Sequence, residues 1–277
     1  MDLYISAILR NENDAKKTLS LLEDDGRLGL EIFPFCHTDG YMELLDRFLP
    51  RLREFPVTFH EPYHGADHSY KKGSQEYRAT MDYCENVFDR AERLNAKHIV
   101  YHLNNRAVSD RTISGRMAPG RDEMIENTFA NLVETGDMAQ AHGLKLLIEN
   151  TGVQSMNNVL FGEEGFIDLF CEWDYGCLID VGHANCNKWD LSSVIGRLRH
   201  KIRSYHLHNN FGVDDEHNRM FNVTLDVEAF FETYVRYTPN ADIVLEYHPD
   251  LMEGEIEWLK EDIASVRRMA KPGFQEQ

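Results

Sequence analysis

Six apolar segments spread along this 277-residue chain each end in a carboxylate or an imidazole. They close as Phe59-His60-Glu61, Tyr101-His102, Ile148-Glu149-Asn150-Thr151, Ile179-Asp180-Val181-Gly182-His183, Tyr205-His206-Leu207-His208 and Leu245-Glu246-Tyr247-His248. Carboxylate oxygens and imidazole nitrogens are ligands for Zn²⁺, Mn²⁺, Co²⁺ and Mg²⁺. The Leu-Leu-Ile and Ile-Val-Leu runs before Glu149 and Glu246 predict burial, and there an unpaired carboxylate costs on the order of several kcal/mol. One shared dication removes that cost for several groups at once. A lone acidic residue at such a position is commonly a helix cap or an ion-pair partner, and a lone buried histidine a satisfied core residue. It is the recurrence on six consecutive segments that points to a metal site.

These groups need elements that bring them to one place. Short apolar runs at 3–9, 28–33, 57–60, 98–103, 144–149, 176–180, 202–207 and 243–247 read as eight strands. Amphipathic stretches separate them, clearest at 75–94, 122–142, 227–237 and 254–269. Alternating strands and helices imply parallel pairing with right-handed crossovers, and eight units predict closure into a (β/α)₈ TIM barrel over residues 1–277 as one domain. An open doubly wound sheet would carry a glycine-rich phosphate loop after its first strand, and Ile8-Leu9-Arg10-Asn11-Glu12 is none. In a barrel the active site lies at the C-terminal strand ends, where all six polar endings fall. Strand alternation supports this: Glu149 shares phase with Leu147, His206 with Ser204 and Glu246 with Val244, so each can point inward.

The longest connections are expected after the third and fourth strands. The fourth carries Arg106, Arg111, Arg116 and Arg121 at five-residue spacing, which fits no helix face and marks a loop that could order around substrate or bind its phosphate. Solvated charge is the plainer reading for most of it. Lys71, Lys72 and Arg78 add to a basic bias near the mouth. The chain as a whole is acidic, with 47 Asp and Glu against 29 Lys and Arg and a formal charge of −18. That balance disfavours nucleic acid, whose binding rests on phosphate neutralisation. Five cysteines without a Cys-x-x-Cys pair read as reduced and mostly buried. The N-terminus shows no signal-peptide pattern and no apolar run could span a bilayer, so a soluble, cytoplasmic protein without membrane partners is expected.

At Ile148-Glu149-Asn150-Thr151, Ile179-Asp180-Val181-Gly182-His183-Ala184-Asn185, His206-Leu207-His208-Asn209-Asn210 and Leu245-Glu246-Tyr247 the chain resembles the xylose-isomerase-like TIM-barrel superfamily. That group holds sugar and sugar-phosphate isomerases and epimerases, inosose-processing enzymes and the endonuclease IV class of apurinic-site nucleases. The resemblance runs through the whole barrel in order and spacing. It implies that Glu149, Asp180, His206 and Glu246 are the ligands of the principal metal. For a small sugar, sugar phosphate or polyol substrate it further implies that Glu149 and Glu246 move protons. One would abstract the C–H proton of an α-hydroxycarbonyl, the cation would hold the enediolate, and the opposite glutamate would return a proton to the other face or the neighbouring carbon. His183 would contact a substrate oxygen, with His60, His102 and His208 as further substrate-binding candidates. Look-alikes are commonly dimers or tetramers, which makes a homo-oligomer an expectation.

The nuclease branch holds three zinc ions on additional histidines and an Asp-x-His pair. This chain has His60, His102 and His183 at the matching strand ends, Asp215-Glu216-His217 for the pair, and Tyr63 three residues past His60, so more than one ion is an open alternative. Against it, Ile5-Ser6-Ala7-Ile8 stands where the nucleases carry His-x-Ser, Met220-Phe221-Asn222-Val223 replaces their Leu-Gly-Glu-Gly, and Gly29-Leu30-Glu31-Ile32 resembles the isomerase branch. With the acidic charge, these departures favour isomerase or epimerase over nuclease.

Several residues carry less. His208 and His248 share phase with His206 and Glu246 and could orient ligands or merely line the mouth. Asn150, Asn185 and Asn209 could meet sugar hydroxyls or form turns. Trp173, Trp189 and Trp258 read as packing residues, and His64 and His68 sit at no defensible ligand spacing.

Overall fold

Eight parallel strands pair in sequence order and close on themselves: β1 (Leu3–Ala7), β2 (Leu28–Ile32), β3 (Val57–Phe59), β4 (Ile99–His102), β5 (Leu146–Glu149), β6 (Gly176–Asp180), β7 (Ile202–Leu207) and β8 (Asp242–Leu245). This (β/α)₈ TIM barrel is seen in a computed structural model that describes residues 1–62, 65–108, 120–221, 223–252 and 257–273. Helices α1 (Glu12–Asp25), α2 (Tyr41–Leu52), α3 (Gln75–Arg93), α4 (Arg121–Ala141), α5 (Glu163–Glu172), α6 (Val181–Cys186), α7 (Leu191–Leu198), α8 (Val227–Tyr237) and α9 (Glu257–Met269) follow the strands. Short polar residues start several of them: the side chains of Asn11, Ser74, Asp190 and Asp226 accept from backbone N–H groups in the first turns of α1, α3, α7 and α8.

Register, more than strand identity, sets the site. His102 stands opposite Glu149 on β4 and β5, and Asp180 opposite His206 on β6 and β7. Two-residue alternation then places the polar endings above a small dry layer inside the barrel, Val100, Leu147 and Leu178, which is separate from the larger core between strands and helices. Lower in the barrel a side chain at Gly29 would run into the ring of Tyr4, so a residue without Cβ is needed there. Trp173, Trp189 and Trp258 pack on the outer core, as expected of them.

Two expectations about connections change. The segment 208–226 after β7 is longer than either 60–74 or 103–120, and its described residues fold back over the mouth. Two short helices, α6 and α7, fill the space between β6 and β7, so His183 lies on a helix capped by Asp180 and not on a strand end. The start of the last helical pattern at 254–256 lies outside the described residues.

Candidate metal centre

His206 is the hub. Its ring is fully buried at the end of β7, with Nδ1 3.1 Å from Glu246 Oε2, 3.5 Å from Glu149 Oε2 and 3.8 Å from Asp180 Oδ2. Its Nε2 lies 2.9 Å from Glu31 Oε1. None of these approaches has the angles of a hydrogen bond, and both ring nitrogens and Glu31 Oε1 lack a hydrogen-bond partner. Buried polar atoms left in that state are costly, and a ligated cation relieves the cost where a proton cannot. Three carboxylates and one imidazole nitrogen turned toward a common space therefore fit a divalent ion. Glu149, Asp180 and His206 place ligand atoms within 4.8 Å of one another, as do His60, His206 and Glu246, then His60, His102 and Glu149, and finally His208, His217 and Glu246.

The electrostatics follow from packing acids against imidazoles away from water. Burial alone would lower the His206 pKa, but Glu246, Glu31 and Glu149 outweigh it and raise it well above the ordinary value. Burial would raise Glu149, yet His102 and His206 hold it well below the usual carboxylate range, and His206 with His217 does the same for Glu246. Both glutamates are thus held ionised, the form in which a carboxylate can bind a cation or accept a proton.

A ring of histidines surrounds this centre. His102 donates from Nε2 to Glu149 Oε2 at 3.0 Å and from Nδ1 to Asn105 Oδ1 at 2.7 Å. Against the lowering effect of burial, Glu149 and Glu61 bring its pKa to about 9. His60 stacks on Phe33 at 4.3 Å, donates from Nδ1 to Glu61 O at 2.9 Å, and is pushed down by burial and by neighbouring His102. His183 bridges Asn150 O (3.0 Å) and Asp215 Oδ2 (3.1 Å). His217 meets the same Asp215 oxygen at 3.0 Å and Glu246 O at 3.1 Å, its backbone held at φ 47, a left-handed conformation uncommon for a residue with a side chain. His208 is fully buried, lies 3.1 Å from both Asp180 oxygens through Nε2, and stacks on His217 at 4.0 Å.

All the residues singled out as metal or catalytic candidates therefore converge. His248 does not: it is exposed, beyond the inward-facing part of β8. The asparagines serve the scaffold. Asn150 spans from β5 to β6, its amide donating to Asp180 O and accepting from Asp180 N. Asn185 donates to Asn210 Oδ1, and Asn209 ties its own loop to Met220 O and Leu225 N. Three of the described basic residues are engaged within the protein: Arg106 contacts Ser69 and Asp67 and lies over Tyr70, Arg121 donates to Val159 O, and Lys72 pairs with Glu134. Arg111, Arg116, Tyr63 and His64 lie outside the described residues.

Three acids and bases named in the sequence were given no role at the site. Glu31, one residue before the end of β2, lies beside His206 and accepts from Thr58 Oγ1 at 3.2 Å; the Gly-x-Glu segment was the available signal. Glu61 is buried between His68 Nε2 and Asn105 Nδ2, each at 2.9 Å, and His68 stacks on Tyr101 at 4.0 Å. No spacing rule reveals that pair, because a loop joins it.

A family model, the xylose isomerase-like TIM barrel, matches residues 21–268. The chain belongs to that family. An uncharacterized protein of Methanocaldococcus jannaschii is 24% identical over 182 residues, covering 64% of this chain and 57% of the relative, so the match spans little more than half of that protein. Among solved structures, a D-tagatose 3-epimerase-like protein superposes with TM-score 0.73 at 18% identity, covering 98% of this chain and 100% of the other. A D-psicose 3-epimerase crystallised with D-fructose gives 0.72 at 12%, with 98% and 99% covered. Endonuclease IV of Thermus thermophilus gives 0.62 at 14%, with 96% and 100% covered. At these identities the likeness is one of fold. No helix among the described residues is long and apolar enough to cross a membrane.

Proposed function

We propose that this chain is a divalent-metal-dependent isomerase or epimerase of a sugar-like substrate, with Glu149, Asp180, His206 and Glu246 holding the ion. The observation that carries this reading is the pair of buried, ionised glutamates on either side of His206 Nδ1, at 3.5 and 3.1 Å, in a nest without hydrogen-bond geometry. A bound dication supplies Lewis acidity beside a substrate carbonyl and offsets negative charge as it develops. Glu149 at the end of β5 and Glu246 just after β8 reach the centre from separate strands, so one can take a proton from a carbon next to the carbonyl and the other can deliver one. His183, His102 and His60 line the same chamber, and a substrate oxygen would reach them by exchange with their present hydrogen-bond partners. The sugar epimerases of this fold support the substrate class. Metal analysis of the purified protein should give close to one Mn, Co, Mg or Zn per chain, and ketoses incubated in D₂O should take up deuterium next to the carbonyl.

A second reading, a multi-zinc phosphodiesterase at abasic DNA, is favoured by the additional His60–His102–Glu149 and His208–His217–Glu246 groups. Two or three zinc ions per chain together with cleavage of an abasic duplex would replace the first reading with this one.

A further inference from the structure

A second cavity opens off the same ring of residues. It holds about 340 Å³, against about 120 Å³ for the polar chamber, and Phe33, His217 and Glu246 line both. Its apolar walls are Ala7 at the end of β1, Ile8 just beyond it, Leu21 on α1, Phe35 after β2 and Pro249 after β8, with Ser6 and Thr18 among them. Phe33 stacks on His60 and lies 5.9 Å from Phe35, so an aromatic surface runs from the acidic centre into the larger space. Charged groups stand beside these walls as well: Arg10, which pairs with Asp14 at 3.4 Å, and Lys17. A bare monosaccharide seated in the polar chamber would leave the larger, apolar-walled space to water, the unfavourable arrangement.

Resting on the isomerase or epimerase reading above, we infer that the substrate is a keto sugar bearing an apolar substituent, an aryl or alkyl aglycone, whose tail lies against Ile8, Leu21, Phe33 and Phe35. The ketone and the carbons beside it stay with the carboxylates. The tail contributes affinity by leaving water, an effect independent of the proton chemistry.

Calorimetry on the metal-loaded, full-length protein with phenyl and methyl 3-keto-β-D-glucosides isolates the tail, because the sugar head is the same in both. The phenyl compound should bind roughly tenfold to a hundredfold more tightly. Phe35→Ala and, as a milder change, Ile8→Ser should each shrink that ratio severalfold. Equal affinities overturn the inference, and so does a phenyl preference that survives both substitutions. Deuterium uptake from D₂O beside the ketone is followed separately by NMR. Phenyl preference without deuterium uptake leaves the tail site standing and removes the proton-transfer reading, so the two failures are told apart.

Discussion

The two ends of this barrel treat buried charge in opposite ways. At the N-terminal end Asp242, 3% exposed, is matched within the chain: Lys97 Nζ lies 2.6 Å from one carboxylate oxygen and 2.8 Å from Asp2, while the Asp2 amide donates to the other oxygen at 2.9 Å. His98 faces the same end without a partner for Nε2, and burial, with Lys97 nearby, keeps it neutral with a pKa lowered to about 3. At the C-terminal mouth Glu31, Glu149, Asp180 and Glu246 gather around one hub imidazole, and among the described residues no lysine or arginine pairs with these acids. One end is neutralised by a lysine, whereas the acids at the other meet imidazoles, the arrangement on which the proposed cation site rests. On the proposed function, stability and chemistry lie at separate ends, as a barrel permits when layers of side chains insulate its two mouths.

The contrast can be broken most sharply at the mouth. Glu246→Gln keeps the shape and removes the charge, so turnover should fall by about 10²–10⁴-fold with an unchanged circular dichroism spectrum; retained turnover would exclude Glu246 from proton transfer. Stripping metal with a chelator should come next in size. If the ion binds only the folded chain, its loss costs about 3–4 kcal/mol at saturating metal and lowers Tm by roughly 5–15 °C. A Tm indifferent to chelator would mean the acids at the mouth need no cation.

The other end sharpens the comparison in the absence of ligand. The folded chain leaves His98 unprotonated down to about pH 3, whereas the unfolded chain protonates it near the ordinary value of 6.5. Between those values the unfolded state binds the extra proton, so stability falls as pH drops through the window. By pH 5 this amounts to about 2 kcal/mol, and His98→Leu should flatten that part of the urea-unfolding profile. An unchanged slope would place the acid sensitivity elsewhere. Lys97→Met should have the smallest effect, about 1 kcal/mol, because the lysine is half exposed and solvent screens its pair with Asp242. A loss as large as that from metal removal would mean the lower end depends on its charges as much as the mouth does.

Much of this was legible in the amino-acid order. Period-two alternation tied Glu149 to Leu147 and His206 to Ser204, and apolar runs bounded by polar ends located eight strands, because strand phase and burial are local properties of the chain. Residue types at those ends restricted the chemistry to metal and proton transfer before any contact was known. The tertiary structure decided the rest. Barrel closure put β1 beside β8 and set Asp180 opposite His206, a register no local pattern contains. The segment after β7 folds back through the Asn209–Asn218 bridge, which carries Asp215 and His217 over the mouth and leaves His248 outside. Arg106 was a phosphate candidate on its type alone, and only the position of Asp67 and Ser69 showed that its guanidinium is already engaged. Sequence determines which groups can do chemistry because ligand and acid–base character belong to the residue; which of them meet depends on contacts far apart in the chain, and these form only when the barrel closes.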